Sequence, residues 1–336
     1  MDTISVAIRV KIEAEYPLME NKQPPENDRM WKLSIVIPVY FNETSLPHLY
    51  DALMHIEKRL IEKNVEMELI FVDDGSGDGS LNELLKIKAL RKDTKVIKLT
   101  KNFGAVHAYK AGLQFVTGDF FVNSAADLQD PPELILTMVD KWLQGTKYVI
   151  CKRTSRDDPP MSKLFAYIYY KLVRFFVVRD FPTRGYDMGL MDAALLPYLQ
   201  NSSKNINPPL FTYWLGFQPE VILYERQKRS FGKSRWTFWK KVSLFLDSLL
   251  GFSVAPIRLI SLMGFLVSLA SFGYGTLILI NALRGKTIVL GFATIVTILS
   301  FLLGLIIVML GVIGEYIWRI FDEINKRPES VIDEIY

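Results

Sequence analysis

The chain has 336 residues, with 40 basic against 36 acidic side chains, a net charge of +4 and a half-hydrophobic composition. It is longer than one typical domain and can bury a real core, while the single Cys151 excludes an intramolecular disulfide and fits a reducing compartment. So mild a positive charge gives little footing for nucleic acid as a partner.

Residues 1–30 are polar, with Pro24-Pro25 and Glu26-Asn27-Asp28, and read as a loosely ordered extension. They lack the apolar stretch of a cleaved signal, so none is expected. From Lys32 the pattern alternates. Leu33–Val39, Met67–Val72, Lys95–Leu99, Phe120–Asn123 and Tyr148–Cys151 predict buried strands. Between them, Leu46–Lys63, Asp78–Leu90, Gly104–Val116 and Pro131–Gln144 predict helices. Such alternation implies an α/β fold, with a mostly parallel sheet and right-handed crossovers.

After Cys151 the character changes. Met161–Val178 puts Leu164, Phe165, Ile168, Leu172, Phe175 and Phe176 on one side of a helix, which could cover the sheet or meet a membrane. Trp236–Leu250 repeats the pattern behind Lys240 and Lys241, directly ahead of a long apolar run. Aromatics beside lysines there predict an interfacial helix in the headgroup region.

No charge occurs between Arg258 and Arg284 or between Lys286 and Glu315, gaps of 25 and 28 residues. At about 1.5 Å per residue, either crosses a hydrocarbon core of roughly 30 Å. Two consecutive runs of this kind predict a two-span membrane protein. Arg226, Lys228, Arg229, Lys233, Arg235, Lys240, Lys241 and Arg258 precede the first span, and Arg319, Lys326 and Arg327 follow the second. The positive-inside bias puts both termini in the cytoplasm, with the basic cluster beside anionic lipid headgroups. The expected division is an extension (1–30), a cytoplasmic α/β domain (31–235), a juxtamembrane amphipathic helix (236–256), spans at 257–283 and 287–314, and a cytoplasmic tail (315–336). Gly264, Ser268, Ser271 and Gly275 on the first span, with Gly304, Gly311 and Gly314 on the second, permit close helix packing. A homo-oligomer is the expectation from that stripe.

Candidate chemistry lies where strands end. Val72-Asp73-Asp74-Gly75-Ser76 closes the second strand. Two adjacent carboxylates would repel a pyrophosphate, and Gly75-x-Gly77-x-Gly79 misses the dinucleotide fingerprint. A carboxylate there suits a base or ribose hydroxyl better. Asp78 reads as an N-cap. Gly232-Lys233-Ser234 is not a phosphate loop, because Gln227 stands where the first glycine is needed. His48, His55 and His107 are too scattered for a metal cluster. No Gly-x-Ser-x-Gly elbow occurs, so nucleophilic hydrolysis has little support.

Ala126-Asp127-Leu128-Gln129-Asp130-Pro131-Pro132-Glu133 is more informative. Capping accounts for three of its residues: Asp130 as N-cap, Pro131 at the first helical position and Glu133 three residues after the cap. Asp127 and Gln129 have no such duty and project from the carboxyl end of a strand, where open α/β sheets bind ligands. A hard divalent cation held by Asp127 together with substrate phosphates is the natural arrangement.

Ile35-Val36-Ile37-Pro38-Val39-Tyr40-Phe41-Asn42-Glu43, the Val72–Ser76 run and Ala126–Pro132, ahead of a membrane hairpin, resemble family 2 glycosyltransferases of the GT-A (Rossmann-like) fold. Within that family they resemble polyisoprenyl-phosphate glycosyltransferases, including dolichol-phosphate mannose synthases and, closer, bacterial bactoprenol-phosphate glucosyltransferases. The resemblance covers residues 32 to about 325. It implies that Pro38, Tyr40, Glu43 and Asp73, with Asp74, serve the nucleotide. Asp127 would hold Mg2+ or Mn2+ on the donor diphosphate, with Gln129 nearby. Arg153 and Asp157 match the family's basic and acidic catalytic pair, Asp187 matches the acceptor-loop acid, and Arg229, Ser234 and Arg235 match the segment that grips the lipid phosphate.

Two departures stand out: Ala125 replaces the first acid of Asp-x-Asp, and Met188-Gly189 replace Phe-Arg after Asp187. The resemblance implies inverting transfer of a hexose, glucose from UDP-glucose, to a polyprenyl phosphate such as undecaprenyl phosphate. A processive polysaccharide synthase and a non-catalytic nucleotide-binding scaffold are the alternatives. Gly232 in place of the glutamine of Gln-x-x-Arg-Trp counts against the first, and Asp127, Arg153 and Asp157 count against the second.

Overall fold

The computed structural model describes residues 29–154, 160–183, 185–204, 206–227, 245–285 and 291–336. The chain forms two compact units: one runs to Ser248 and takes back Pro328–Tyr336, and the other is Leu249–Arg327.

The first unit opens with β1 (Trp31–Val39), α1 (Leu46–Ile61), β2 (Val65–Asp73), α2 (Ser80–Leu90), β3 (Thr94–Leu99), α3 (Ala105–Leu113), β4 (Phe120–Asn123), α4 (Leu134–Leu143) and β5 (Tyr148–Arg153). These are the expected elements, shifted by a few residues at their ends. It continues with α5 (Pro160–Phe176), β6 (Met188–Asp192), α6 (Leu196–Gln200), α7 (Pro208–Trp214) and β7 (Glu220–Tyr224), and ends in β8 (Ile332–Ile335). Strands β6, β7 and β8 were not expected.

The sheet order is β7-β5-β6-β4-β1-β2-β3-β8. Pairs β1–β2, β1–β4, β2–β3 and β5–β7 are parallel, whereas β4–β6, β5–β6 and β3–β8 are antiparallel. This is the expected α/β class, a mostly parallel GT-A-like sheet. The order reverses between β1 and β4, so a ligand crevice is expected at their carboxyl ends.

Helix periodicity explains the packing. Leu46, Leu49, Leu53, Ile56 and Leu60 line one face of α1 and are buried on the sheet, each contributing roughly 1.5–3 kcal/mol. Gly112 lets α3 lie close to the strands: a Cβ there would be 2.4 Å from Val36 Cγ1.

At the amino end of the sheet, Glu68 on β2 is buried and fully engaged. Ser34 Oγ donates to its Oε1 at 2.5 Å, the Thr117 amide at 2.8 Å, and Thr117 Oγ1 donates to Oε2 at 2.8 Å. Lys32 Nζ lies 3.0 Å from Oε2. Burial alone would push this carboxyl up, but those donors hold it down at about 2.

One helix differs from expectation, and a second bears on a reading that the sequence leaves open. α4 starts at Leu134 rather than Pro131, with no side-chain cap. The apolar face of α5 does not cover the sheet, since Leu164, Phe165, Ile168 and Phe175 are exposed. Most of Trp236–Leu250 lies outside the described residues, and residues 245–250 are helical.

The second unit contains α8 (Ala255–Leu283) and α9 (Phe292–Ile324). Both are long and apolar enough to cross a membrane, with mean hydropathies of 1.7 over Ala255–Leu277 and 2.2 over Phe301–Ile324. Leu266, Phe272, Ile307 and Leu310 are exposed, unlike side chains of a buried core helix. Gly264 of α8 faces Met309 of α9, whereas Gly304, Gly311 and Gly314 face open space. α9 carries the chain through much of the segment expected as tail, and β8 then joins β3: the Tyr336 amide donates to Val96 O at 2.8 Å.

Candidate active site

Loops after β1, β2 and β3 form one side of the crevice. Phe41 has φ 58°, a left-handed backbone that a non-glycine residue adopts only when its surroundings hold it. Its amide donates to Ser76 Oγ at 3.1 Å, and the Asn42 amide donates to Ser80 Oγ at 2.8 Å. Glu43 Oε2 accepts the Gly79 amide at 3.0 Å, so this expected nucleotide residue also shapes the β2–α2 loop. Pro38 and Tyr40 are half-buried at the same edge. Asp78 accepts from the Ser80 amide at 3.1 Å, although the N-cap position itself is Gly79.

Asp73 and Asp74 are both buried. Asp73 Oδ1 accepts the Ser76 amide at 3.2 Å. Burial pushes its carboxyl up, against the Ser76 donors. Asp74 turns to the loop after β3, accepting from the Phe103 amide at 2.7 Å, the Gly104 amide at 2.9 Å and Asn102 Nδ2 at 3.0 Å. Burial raises it too, and the Asp73 charge adds to the effect. Gly75 makes this approach possible: its φ is 66°, and a Cβ would be 2.6 Å from the Lys101 carbonyl carbon.

Across the switch point, the loop after β4 carries Asp127 and Gln129. Ser45 Oγ pins it by donating to Ala126 O at 2.7 Å. Asp127 Oδ1 accepts the Gln129 amide at 3.2 Å, and Leu128 between them has φ 56°. Among the described residues no three His, Cys, Asp or Glu side chains converge to hold an ion. One carboxylate and one amide oxygen are a hard donor set that fits Mg2+ or Mn2+ only when phosphate oxygens complete the shell.

Beside this loop lies a buried charged cluster. Arg153, at the end of β5, donates through Nε to Asp187 Oδ2 at 2.8 Å and through Nη2 to Oδ1. Tyr224, at the end of β7, donates to Asp130 Oδ1 at 2.5 Å, and its hydroxyl lies 3.0 Å from Asp187 Oδ2. Arg226 Nε is 3.0 Å from Asp130 Oδ1, and its Nη1 is 3.9 Å from Asp187 Oδ1. The Gln227 amide donates to Gln129 O at 3.0 Å, tying this strand end to the Asp127 loop.

Asp130 is therefore not the expected N-cap. It is 6% exposed and faces Tyr224 and Arg226. Local capping rules could not register a partner 94 residues away. Burial pushes its carboxyl up, the charges of Asp187 and Asp127 add to this, and Arg226 and the Tyr224 hydroxyl oppose it. Among the described residues, the acid that engages Arg153 is Asp187. Asp157, Arg229, Ser234 and Arg235 lie outside the described residues. Cys151 is buried nearby with its thiol pushed up to about 12 by burial and then by Asp130 and Asp187, which makes it a poor nucleophile.

Sequence reasoning missed Tyr224 and Arg226 as site residues. The only signal was the alternation in Glu220–Tyr224, where Val221 and Leu223 are exposed while Ile222 and Tyr224 pack on the core. With apolar residues on both faces, an edge strand of five residues gives almost no period.

The strand-end crevice thus brings one hard carboxylate and two guanidiniums onto neighbouring loops. Residues 34–194 match glycosyl transferase family 2. A glycosyltransferase of a Synechocystis species is 32% identical over 91% of this chain and 96% of its own. The YkcC glycosyltransferase of Bacillus subtilis is 33% identical over 90% of this chain and 94% of its own. The SfII prophage-derived bactoprenol glucosyl transferase of Shigella flexneri is 30% identical over 90% of this chain and 97% of its own. The chain belongs to glycosyl transferase family 2, and it is a glycosyltransferase.

Proposed function

We propose that the protein transfers a hexose, glucose from UDP-glucose, to a polyprenyl phosphate such as undecaprenyl phosphate, inverting the anomeric carbon. The observation that carries this reading is the similarity to a bactoprenol glucosyl transferase over 303 residues, in a chain with two helices fit to span a membrane.

The chemistry agrees with the side chains present. A phosphate monoester has a second pKa of about 6, so near neutral pH the acceptor is largely an anionic nucleophile and needs no strong base. One of its oxygens bonds to the anomeric carbon while the bond to the donor's β-phosphate oxygen breaks, and the electron pair leaves with the nucleoside diphosphate. Asp127, with Gln129, would hold a divalent cation whose charge stabilises that leaving group. Arg153, held by Asp187, offers a guanidinium beside the same loop. Pro38, Tyr40, Glu43 and Asp73 border the nucleotide side. Asp157, Arg229, Ser234 and Arg235 are assigned to catalysis and to the lipid phosphate on the family resemblance alone.

The site would face the cytoplasm. Lysine and arginine flank both spans, and β8 pairs with β3, so the segment after α9 shares a side with the catalytic unit. The exposed apolar face of α5, with Lys163, Lys171 and Arg174, suits a membrane interface.

The test is to incubate purified full-length protein with labelled nucleotide sugars and undecaprenyl phosphate, with and without EDTA. Labelled lipid, lost on chelation, is the expected result. No lipid-linked product from any donor would overturn the proposal.

A further inference from the structure

We infer that Arg226 is a phosphate-binding residue of this site, acting as a pair with Arg153. The inference deepens the proposed function and rests on it for the identity of the phosphate.

The two guanidiniums converge on one oxygen. Arg153 Nη2 donates to Asp187 Oδ1, and Arg226 Nη1 stands 3.9 Å from that same atom. They come from the ends of β5 and β7, which pair in parallel with Arg153 opposite Tyr224. Both side chains are largely enclosed, at 14% and 23% exposure.

Among the described residues, their donors are not used up. A guanidinium presents a rigid fork of N–H groups on every nitrogen. Asp187 takes Nε and Nη2 of Arg153. Asp130 and Asp187 give Arg226 charge contacts, but among the described residues its buried Nε makes no hydrogen bond of acceptable geometry. Enclosed donors without acceptors are costly, and a site keeps them when a ligand supplies the acceptors. A phosphate does so with several anionic oxygens and matches the guanidinium fork.

Place and rigidity agree. The backbone beside Arg226 is bonded to the Asp127 loop through Gln227 and Gln129, so any phosphate held by Asp127's cation lies near this pair. Asp187 fixes the plane of the Arg153 guanidinium through Nε and Nη2, and the Tyr224 hydroxyl sits between Asp187 and Asp130, the two carboxylates beside Arg226. A plain ion-pair network would instead look like the Glu68 cluster, where carboxylate and donors saturate one another.

The phosphate is either the donor's diphosphate or the acceptor's phosphomonoester, and two measurements on full-length protein distinguish them. One is UDP affinity in the presence of Mn2+, by calorimetry; the other is the KM for undecaprenyl phosphate in the transfer reaction. Arg226→Gln should weaken one of the two by about tenfold or more, the scale of a lost charge-assisted hydrogen bond. A loss of UDP affinity assigns the donor; a raised acceptor KM with unchanged UDP affinity assigns the acceptor. If Arg226→Gln fails to fold, Arg226→Lys decides, because a point charge loses the fork and should still shift one value about threefold. A folded variant with both values unchanged overturns the inference. Wild-type protein that binds UDP but makes no lipid product would instead sink the proposed function, and the UDP measurement alone would then decide the role of Arg226.

Discussion

Glu68 and Asp130 are buried carboxylates at opposite ends of one sheet, both close to cations, and their surroundings differ in kind. Glu68 receives the Ser34 and Thr117 hydroxyls, the Thr117 amide and the Lys32 and Lys95 ammoniums, and its carboxyl is driven down. Asp130 receives a tyrosine hydroxyl and a poorly aligned guanidinium, with Asp187 and Asp127 nearby, and its carboxyl is driven up. Burial opposes the charge in both places, so the supply of donors decides the outcome. The amino-end cluster is satisfied by the protein and serves the fold. At the carboxyl end, among the described residues, Arg226 Nε is left without a hydrogen bond, and it is this donor that the proposed phosphate role draws on.

The largest effect is expected at Asp127. Asp127→Asn should lower sugar transfer about a thousandfold, some 4 kcal/mol of barrier, if one carboxylate carries the cation. Transfer of labelled lipid at the wild-type rate would refute that assignment. Next comes Glu68→Gln, which leaves buried donors and lysines mismatched and should cost about 3 kcal/mol. Denaturant unfolding followed through Trp31 and Trp142, which meet edge-to-face at 4.9 Å, reads that loss. Transfer by the folded fraction should stay within about twofold, because surface-remote packing does not touch the site.

The same residue sets an acid limit. Because the folded carboxyl lies near 2 against 4.5 in the open chain, its stabilisation is present above pH 4.5 and is lost as pH falls toward 2. Glu68→Gln should remove that part of the acid sensitivity.

A smaller effect is expected at Tyr224→Phe, which removes the hydroxyl between Asp130 and Asp187. Stability should drop about 1 kcal/mol, and transfer should fall while UDP affinity changes less, if the hydroxyl only orients Arg153 and Arg226. The smallest effect concerns Asp130 itself. Its carboxyl is raised, so the folded state binds its proton more tightly and stability falls as pH rises through the raised value, opposite in sign to Glu68. Asp130→Asn should flatten that slope in unfolding measured across pH.

Much of the first unit was legible because each early strand is a continuous apolar run and each early helix carries a clear stripe, as in α1 with Leu46, Leu49, Leu53, Ile56 and Leu60. The two long apolar helices were legible from uncharged length alone. β6, β7 and β8 were not, since strands of five, five and four residues hold less than three full alternations. Asp127 could be picked out because no local rule explained it. Asp130 was lost for the opposite reason: a local capping rule explained it well, and only a distant strand reveals that its side chain points elsewhere. Asp187 was expected near the acceptor, while its bidentate hold on Arg153 needed the β5–β6 pairing to appear.

The strand β8 has a consequence for how the protein is made. Lys98 and Glu334 meet across the β3–β8 pair although they are 236 residues apart in sequence, with both apolar helices between them. During synthesis the outer edge of β3 therefore stays open until both apolar helices have been translated. An open edge is a template for pairing with other chains. The nascent enzyme would emerge with its catalytic sheet unfinished, and the segment after α9 closes it.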